Sequence, residues 1–173
     1  MEALRTQNLI LRPWESQDKE ALIRHANNPK VWQGLREIFP HPYTEKEAQW
    51  WLQHFDDDPK KLNLSMEYEG EAIGGITLHL LENVYQKTAE IGYWLGEPHW
   101  GKGLATQAVK TISRWGLENW DILRIQAGVF SGNPASERVL EKAGYHREAT
   151  HRRAVFKDGK ILDETCYVLL KSP

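Results

Sequence analysis

One cysteine, Cys166, is all the chain has in 173 residues. That excludes an intramolecular disulfide and fits a reducing compartment. Neither sign of charge dominates: 22 Lys and Arg stand against 24 Asp and Glu, a formal net charge of −2. No global basic field is therefore available to coat a nucleic acid. Apolar runs of about 20 residues, the length that spans a bilayer, are missing, and the opening residues lack the apolar core of a secretory signal. A cytoplasmic location with no membrane partner is the expectation. The seven histidines follow no metal-ligand spacing, so no metal is expected. Repeats, low-complexity tracts and Pro/Gly-rich linkers are also lacking. With 40% hydrophobic residues, residues 1–173 are expected to form one domain.

What is present alternates strand and helix signals. Asn8 to Arg12 reads as a strand and Asp18 to Ala26 as an amphipathic helix. Thr44 and Glu47 make a capping box before a helix carrying Trp50, Trp51 and Phe55. Residues 56–61 (Asp-Asp-Asp-Pro-Lys-Lys) read as a solvated loop, because consecutive carboxylates in a loop lack ligand geometry. Strands over 62–68 and 72–80 flank a Glu69-Gly70 turn. A strand from Glu90 to Leu95 leads to a helix whose Leu104, Ala108, Ile112 and Trp115 share one face. The strand from Arg124 to Phe130 completes a β-α-β crossover, which places the two strands in parallel or as near neighbours. Asn133 is an N-cap with Pro134 at the first helical position, and Gly144 ends that helix. Asp158-Gly159 marks a last hairpin whose second arm runs from Ile161 to Leu170. The expected class is α+β around one mixed sheet.

The chemistry concentrates where strand 90–95 meets helix 104 onward, across Trp100-Gly101-Lys102-Gly103-Leu104-Ala105-Thr106. The first N–H groups of a helix have no internal partner and carry the positive end of the macrodipole, so this turn is an anion site. Gly101 and Gly103 let a phosphate come close to the main chain. A dinucleotide fingerprint would need glycine at Thr106, and a Walker A loop would need a hydroxyl at Gly103. Both alternatives therefore fail on single residues.

The run Trp100-Gly101-Lys102-Gly103-Leu104-Ala105 resembles the pyrophosphate signature R/Q-x-x-G-x-G/A of the GNAT superfamily of N-acetyltransferases, departing from it at Trp100. Leu9 to Trp14, Pro42-Tyr43-Thr44, Glu90 to Leu95 and Asn133 to Tyr145 resemble the RimJ/RimL-type branch in order and spacing, covering nearly the whole chain. The resemblance implies a sheet splayed at an acetyl-CoA site, flanked by helices. Tyr93, Trp94 and Leu95 would meet the pantetheine arm, residues 100–106 the pyrophosphate, and Asn133 the cofactor as well as its own helix end.

Acetyl transfer needs a neutral amine, an oxyanion donor and a proton for the leaving thiolate. Glu90, beside the notch, is the candidate base, with Asp163 and Glu164 behind it. Many family members carry a tyrosine where this chain has Leu140, so the resemblance assigns the proton to Ser136. The oxyanion donor falls to a main-chain N–H near Trp94 or Leu95. Trp32, Phe39 and Tyr43 lie in the segment that shapes the acceptor pocket in this branch. Cys166, in an apolar alternating strand with no neighbouring histidine, is expected to be buried and inert. The implied activity is acetyl transfer from acetyl-CoA to a protein N-terminal α-amine or a small-molecule amine. A catalytically silent acyl-CoA-binding module and a phosphotransferase are the alternatives, and exposed strand edges leave room for a homodimer.

Overall fold

One sheet, whose central strands carry continuous runs of buried residues, organises the chain. The structure is a computed structural model that describes residues 2–56 and 58–172, so Asp57 of the polar loop lies outside the described residues. In chain order the elements are β1 (Leu4–Arg5), β2 (Ile10–Arg12), α1 (Lys19–Ala26), α2 (Pro29–Gln33), α3 (Glu45–His54), β3 (Lys61–Tyr68), β4 (Glu71–Leu80) and β5 (Thr88–Leu95). Then come α4 (Leu104–Asn119), β6 (Arg124–Phe130), α5 (Pro134–Lys142), β7 (His146–Lys157) and β8 (Lys160–Leu170). Among the described residues these give eight strands in the order β1-β2-β3-β4-β5-β6-β8-β7.

The pairing of β5 with β6 positions everything that follows. These two strands are parallel and pair only from Thr88–Arg124 to Glu90–Gln126. Beyond that point they separate, while β4 stays paired with β5 to Leu95 and β8 stays paired with β6 to Phe130. Each lip of the resulting notch is thus held by its own outer neighbour. The facing edges retain backbone donors and acceptors that a ligand can take up.

Two apolar layers sandwich the sheet. On one face Leu104, Ala108, Val109 and Ile112 of α4 pack over Leu78 and Ile125. Gly116 brings α4 close to β4, because a Cβ there would collide with the Leu78 side chain. On the other face, Trp14, Leu22, Tyr43 and Ala48 form a smaller core under α1 and α3, with Phe39 and Trp94 packed against it. Arg12 joins the two ends of this region, holding Asp18 through Nη1 and Nη2 at 2.8 Å and Glu67 through Nε at 2.5 Å.

The expected elements form, with local differences. The first strand starts at Ile10 rather than Asn8, because Thr6 Oγ1 accepts from the Asn8 and Leu9 N–H groups and closes a turn there. The two-residue β1 and the five-residue α2 add to the expected list. Trp115 is half-buried and meets the edge of Trp120 instead of the sheet. Cys166 is half-buried rather than buried, on the strand face opposite Tyr167. Asp158 (φ 50°) and Gly159 (φ 71°) make the tight turn between β7 and β8, both in the left-handed region that an Asp-Gly pair tolerates.

Candidate active site

The turn after β5 is built to leave donors free. Gly96 presses on the His25 ring, where a Cβ would come within 2.8 Å of Cγ. A short 3-10 turn, Glu97–His99, follows and is braced by the Asn28 amide, which donates to Glu97 at 2.8 Å, and by Lys30. Gly101 (φ 77°) and Gly103 (φ 76°) then adopt a left-handed backbone with open space where side chains would stand. Gly103 is the N-cap of α4, and the first turn of that helix carries no acidic residue. By contrast α3 is closed by the Thr44–Glu47 capping box and α5 by the Asn133 side chain. The α4 N-terminus therefore presents its N–H groups and dipole to an outside anion. Trp100, placed where the signature prefers Arg or Gln, donates its indole N–H to the Leu95 carbonyl at 2.7 Å and so ties the turn to the strand end. Lys102 holds its ammonium 5.7 Å from the Tyr68 ring centroid, adding positive charge beside the turn. Burial, then His25 and Lys102, push the His99 imidazole below the ordinary histidine value.

Across the notch, side chains of β5 and α5 meet. Asn133 Oδ1 accepts from the Ser136 N–H at 3.1 Å, which fixes the first turn of α5. The Tyr93 hydroxyl lies 2.8 Å from Ser136 Oγ and donates to the Ser136 carbonyl at 3.2 Å. Burial pushes the Tyr93 phenol up to about 12, so it stays neutral. Leu140 is fully buried in the main core. Tyr145 is buried too, its hydroxyl 2.7 Å from Ser113 Oγ.

The opposite face of the notch carries the acceptor-side groups. Ala89, Ile91 and Leu95 of β5 turn into the main core, so Glu90, Gly92 and Trp94 turn the other way. Glu90 pairs with Arg36 at 2.7 Å. Trp94 stacks on Trp14 with centroids 6.4 Å apart and meets the edge of Phe39 at 5.5 Å. Tyr43 stands behind Phe39 and is buried. Trp32 is more distant, packed under the Lys157 ammonium at 3.8 Å and stacked on His41. Of the three expected pocket residues, Phe39 meets Trp94 edge-on and Tyr43 lies in the core that both pack against.

Two further carboxylates differ in commitment. Asp163 accepts from the Arg153 N–H at 2.7 Å and belongs to the bulged β7–β8 hairpin. Glu164 lies over Gly128, its Cδ 2.8 Å from where a Cβ would be, with His151 at 3.6 Å. Burial raises the Cys166 thiol, leaving it a poor nucleophile. Among the described residues no cluster of His, Cys, Asp or Glu could hold a metal, and no helix is long and apolar enough to cross a membrane.

A strand, an open glycine turn and an uncapped helix at the mouth of a sheet notch make an anion site beside free strand edges, the arrangement expected of a transferase that takes its acyl group from a coenzyme A thioester. The chain belongs to the GNAT family of acetyltransferases: residues 8–146 match the family described as Acetyltransferase (GNAT) domain. It is 30% identical to the uncharacterized N-acetyltransferase YoaA of Bacillus subtilis, over 97% of this chain and 96% of that one. Identity to the uncharacterized N-acetyltransferase p20 of Bacillus licheniformis is 28%, over 99% and 97%. The fold also matches the structure of RimL, a ribosomal L7/L12 alpha-N-protein acetyltransferase in complex with coenzyme A. That match has a TM-score of 0.85, 21% identity and 98% coverage of both chains. The protein is thus an acetyl-CoA-dependent N-acetyltransferase, and the open turn at Gly101–Gly103 with the free α4 N-terminus fits the pyrophosphate.

Proposed function

We propose that the acceptor is the α-amine at the N-terminus of a polypeptide, in the cytoplasm. The observation that carries this is the Glu90–Arg36 ion pair. One oxygen of that carboxylate is already engaged by the Arg36 guanidinium at 2.7 Å, and an α-amine with a pKa of about 8, partly neutral without help, asks the least of the oxygen that remains. A lysine or polyamine nitrogen near 10.4 asks for more. The structural likeness to RimL, named for acetylating a protein α-amine, supports the same choice.

Acetyl-CoA, when bound, supplies the activated acetyl group. Residues 100–106 hold its pyrophosphate, and the unpaired edge of β5 at Tyr93, Trp94 and Leu95 accompanies the arm. Glu90 takes the amine proton, directly or through a water, and Glu164 offers a second carboxylate across the notch. Ser136 Oγ gives its proton to the departing sulfur from the first turn of α5, where the helix dipole favours negative charge, and regains one from solvent, to which Glu90 passes the amine proton. The neutral Tyr93 hydroxyl supports Ser136 from the opposite lip. Asn133 keeps Ser136 in place by capping the helix. Thiol release from acetyl-CoA with a free-amine peptide, compared with the same peptide N-terminally blocked, tests the proposal. Turnover of the free peptide alone supports it, and equal turnover of a blocked peptide bearing lysine overturns it.

A further inference from the structure

Both lips of the notch carry a glycine on the acceptor face, and the two glycines are not equivalent. On β6, the space above Gly128 is filled by the Glu164 carboxylate. On β5, a Cβ at Gly92 would meet nothing within 4 Å. Gly92 is exposed, does not have a positive φ, and pairs with Thr77 in regular register. Neither its backbone nor its packing requires glycine.

The neighbours of Gly92 define an empty slot. Glu90, two residues back on the same face, is drawn toward Arg36. Trp94, two residues on, leans away from the notch: its indole covers Gly75, where a Cβ would lie 2.7 Å from Nε1, and stacks on Trp14. Phe39 closes the far end by its edge contact with Trp94. From Glu90 to Trp94 the strand advances about 13 Å, and the strip between them has no cover from β5 itself. One end of the slot is a carboxylate and the other an aromatic wall.

We infer that Gly92 is the specificity-determining residue of the acceptor site: its missing side chain makes the room that receives the side chain next to the reacting amine. This rests on the peptide-acceptor reading above. The amine lies toward Glu90 and the notch, and the first side chain of the acceptor lies over Gly92 against Trp94 and Phe39. An apolar first residue is therefore accepted, because it covers aromatic surface that is otherwise wet. A methyl or isopropyl group at position 92 fills the same room from below. One methylene in an apolar pocket changes discrimination by roughly 10–200-fold.

The test compares Gly92→Ala and Gly92→Val with the wild type on two peptides that differ only in a first residue of Gly or Leu. The readouts are kcat/KM, calorimetric binding of each peptide to the enzyme with coenzyme A, and Tm. The expected result is that the Leu-to-Gly ratio of kcat/KM falls at least tenfold in Gly92→Val and by less in Gly92→Ala. Binding of the Leu peptide weakens in parallel, acetyl-CoA affinity stays within twofold, and Tm is unchanged or raised. A ratio that stays within twofold in Gly92→Val, or equal loss of both peptides, overturns the assignment of Gly92 alone. A wild type that acetylates neither peptide overturns the acceptor reading and this inference with it.

Discussion

Replacing Gly103 by alanine separates the cost of backbone strain from the loss of the anion site. At φ 76° an L-residue is held in the left-handed region, at a cost of roughly 1–2 kcal/mol. Stiffening the unfolded chain returns about 0.4–1 kcal/mol. The net destabilisation is then about 1 kcal/mol, which lowers Tm by roughly 2–4 °C in a domain of this size. No neighbour lies within 4 Å of the new methyl group, so packing adds nothing. Binding is affected differently, because the methyl occupies the space through which a phosphate reaches the N–H groups of α4. Losing one charge-assisted hydrogen bond costs about 1.5–3 kcal/mol, which is a tenfold or greater loss of acetyl-CoA affinity. Gly159→Ala is the matched control, at φ 71° in the β7–β8 turn with the same open surroundings. Thermal melts and titration calorimetry should show similar Tm losses for both variants but weakened acetyl-CoA binding for Gly103→Ala alone. Equal affinity in the two variants would refute the placement of the pyrophosphate.

Ser136→Ala should lower kcat about 100-fold while calorimetric acetyl-CoA affinity stays nearly constant, since the hydroxyl serves the departing sulfur. Glu90→Gln should lower kcat/KM for the peptide by one to two orders of magnitude, with the loss shrinking as pH rises past about 8 and the amine loses its proton unaided. The pH–rate profiles of the two proteins check this. Burial raises the Tyr93 phenol from 10 to about 12, so its neutral form is favoured by folding. The stability it contributes is complete below pH 10 and is lost as pH rises from 10 to about 12. Tyr93→Phe should therefore flatten the alkaline fall in Tm over that window, which melts at stepped pH will detect.

Local signals carried most of the fold. The Thr44–Glu47 box, the Glu69-Gly70 and Asp158-Gly159 turns and the Asn133-Pro134 helix start each act within a few residues, and each forms as expected. The helix α2 was legible as well, because Asn28-Pro29 repeats the pattern of Asn133-Pro134, and Asn28 Oδ1 accepts from the Lys30 N–H. Only its length of five residues hides it. The strand β1 has no such signal: two residues become a strand only through the register of β2. At the site, the glycine turn and the Asn133–Ser136 cap could be read from spacing. The Tyr93–Ser136 contact, the Arg36–Glu90 pair and the Glu164 carboxylate over Gly128 join residues far apart in the chain. No periodicity encodes them, because they depend on where β5 and β6 part. The exposure of Trp50 and Trp100 has the same origin, since composition counts tryptophans without saying which face of the sheet or helix they leave uncovered.

The central claim is that one notch binds acetyl-CoA and passes its acetyl group to a polypeptide α-amine. Its most direct test follows thiol release from acetyl-CoA with a panel of free-amine peptides, N-terminally blocked peptides and small amines, and determines the product by mass spectrometry. The account predicts thiol release with free-amine peptides and a single acetyl group on the N-terminal nitrogen. Thiol release with small amines alone, or tight acetyl-CoA binding without turnover of any amine, would contradict it.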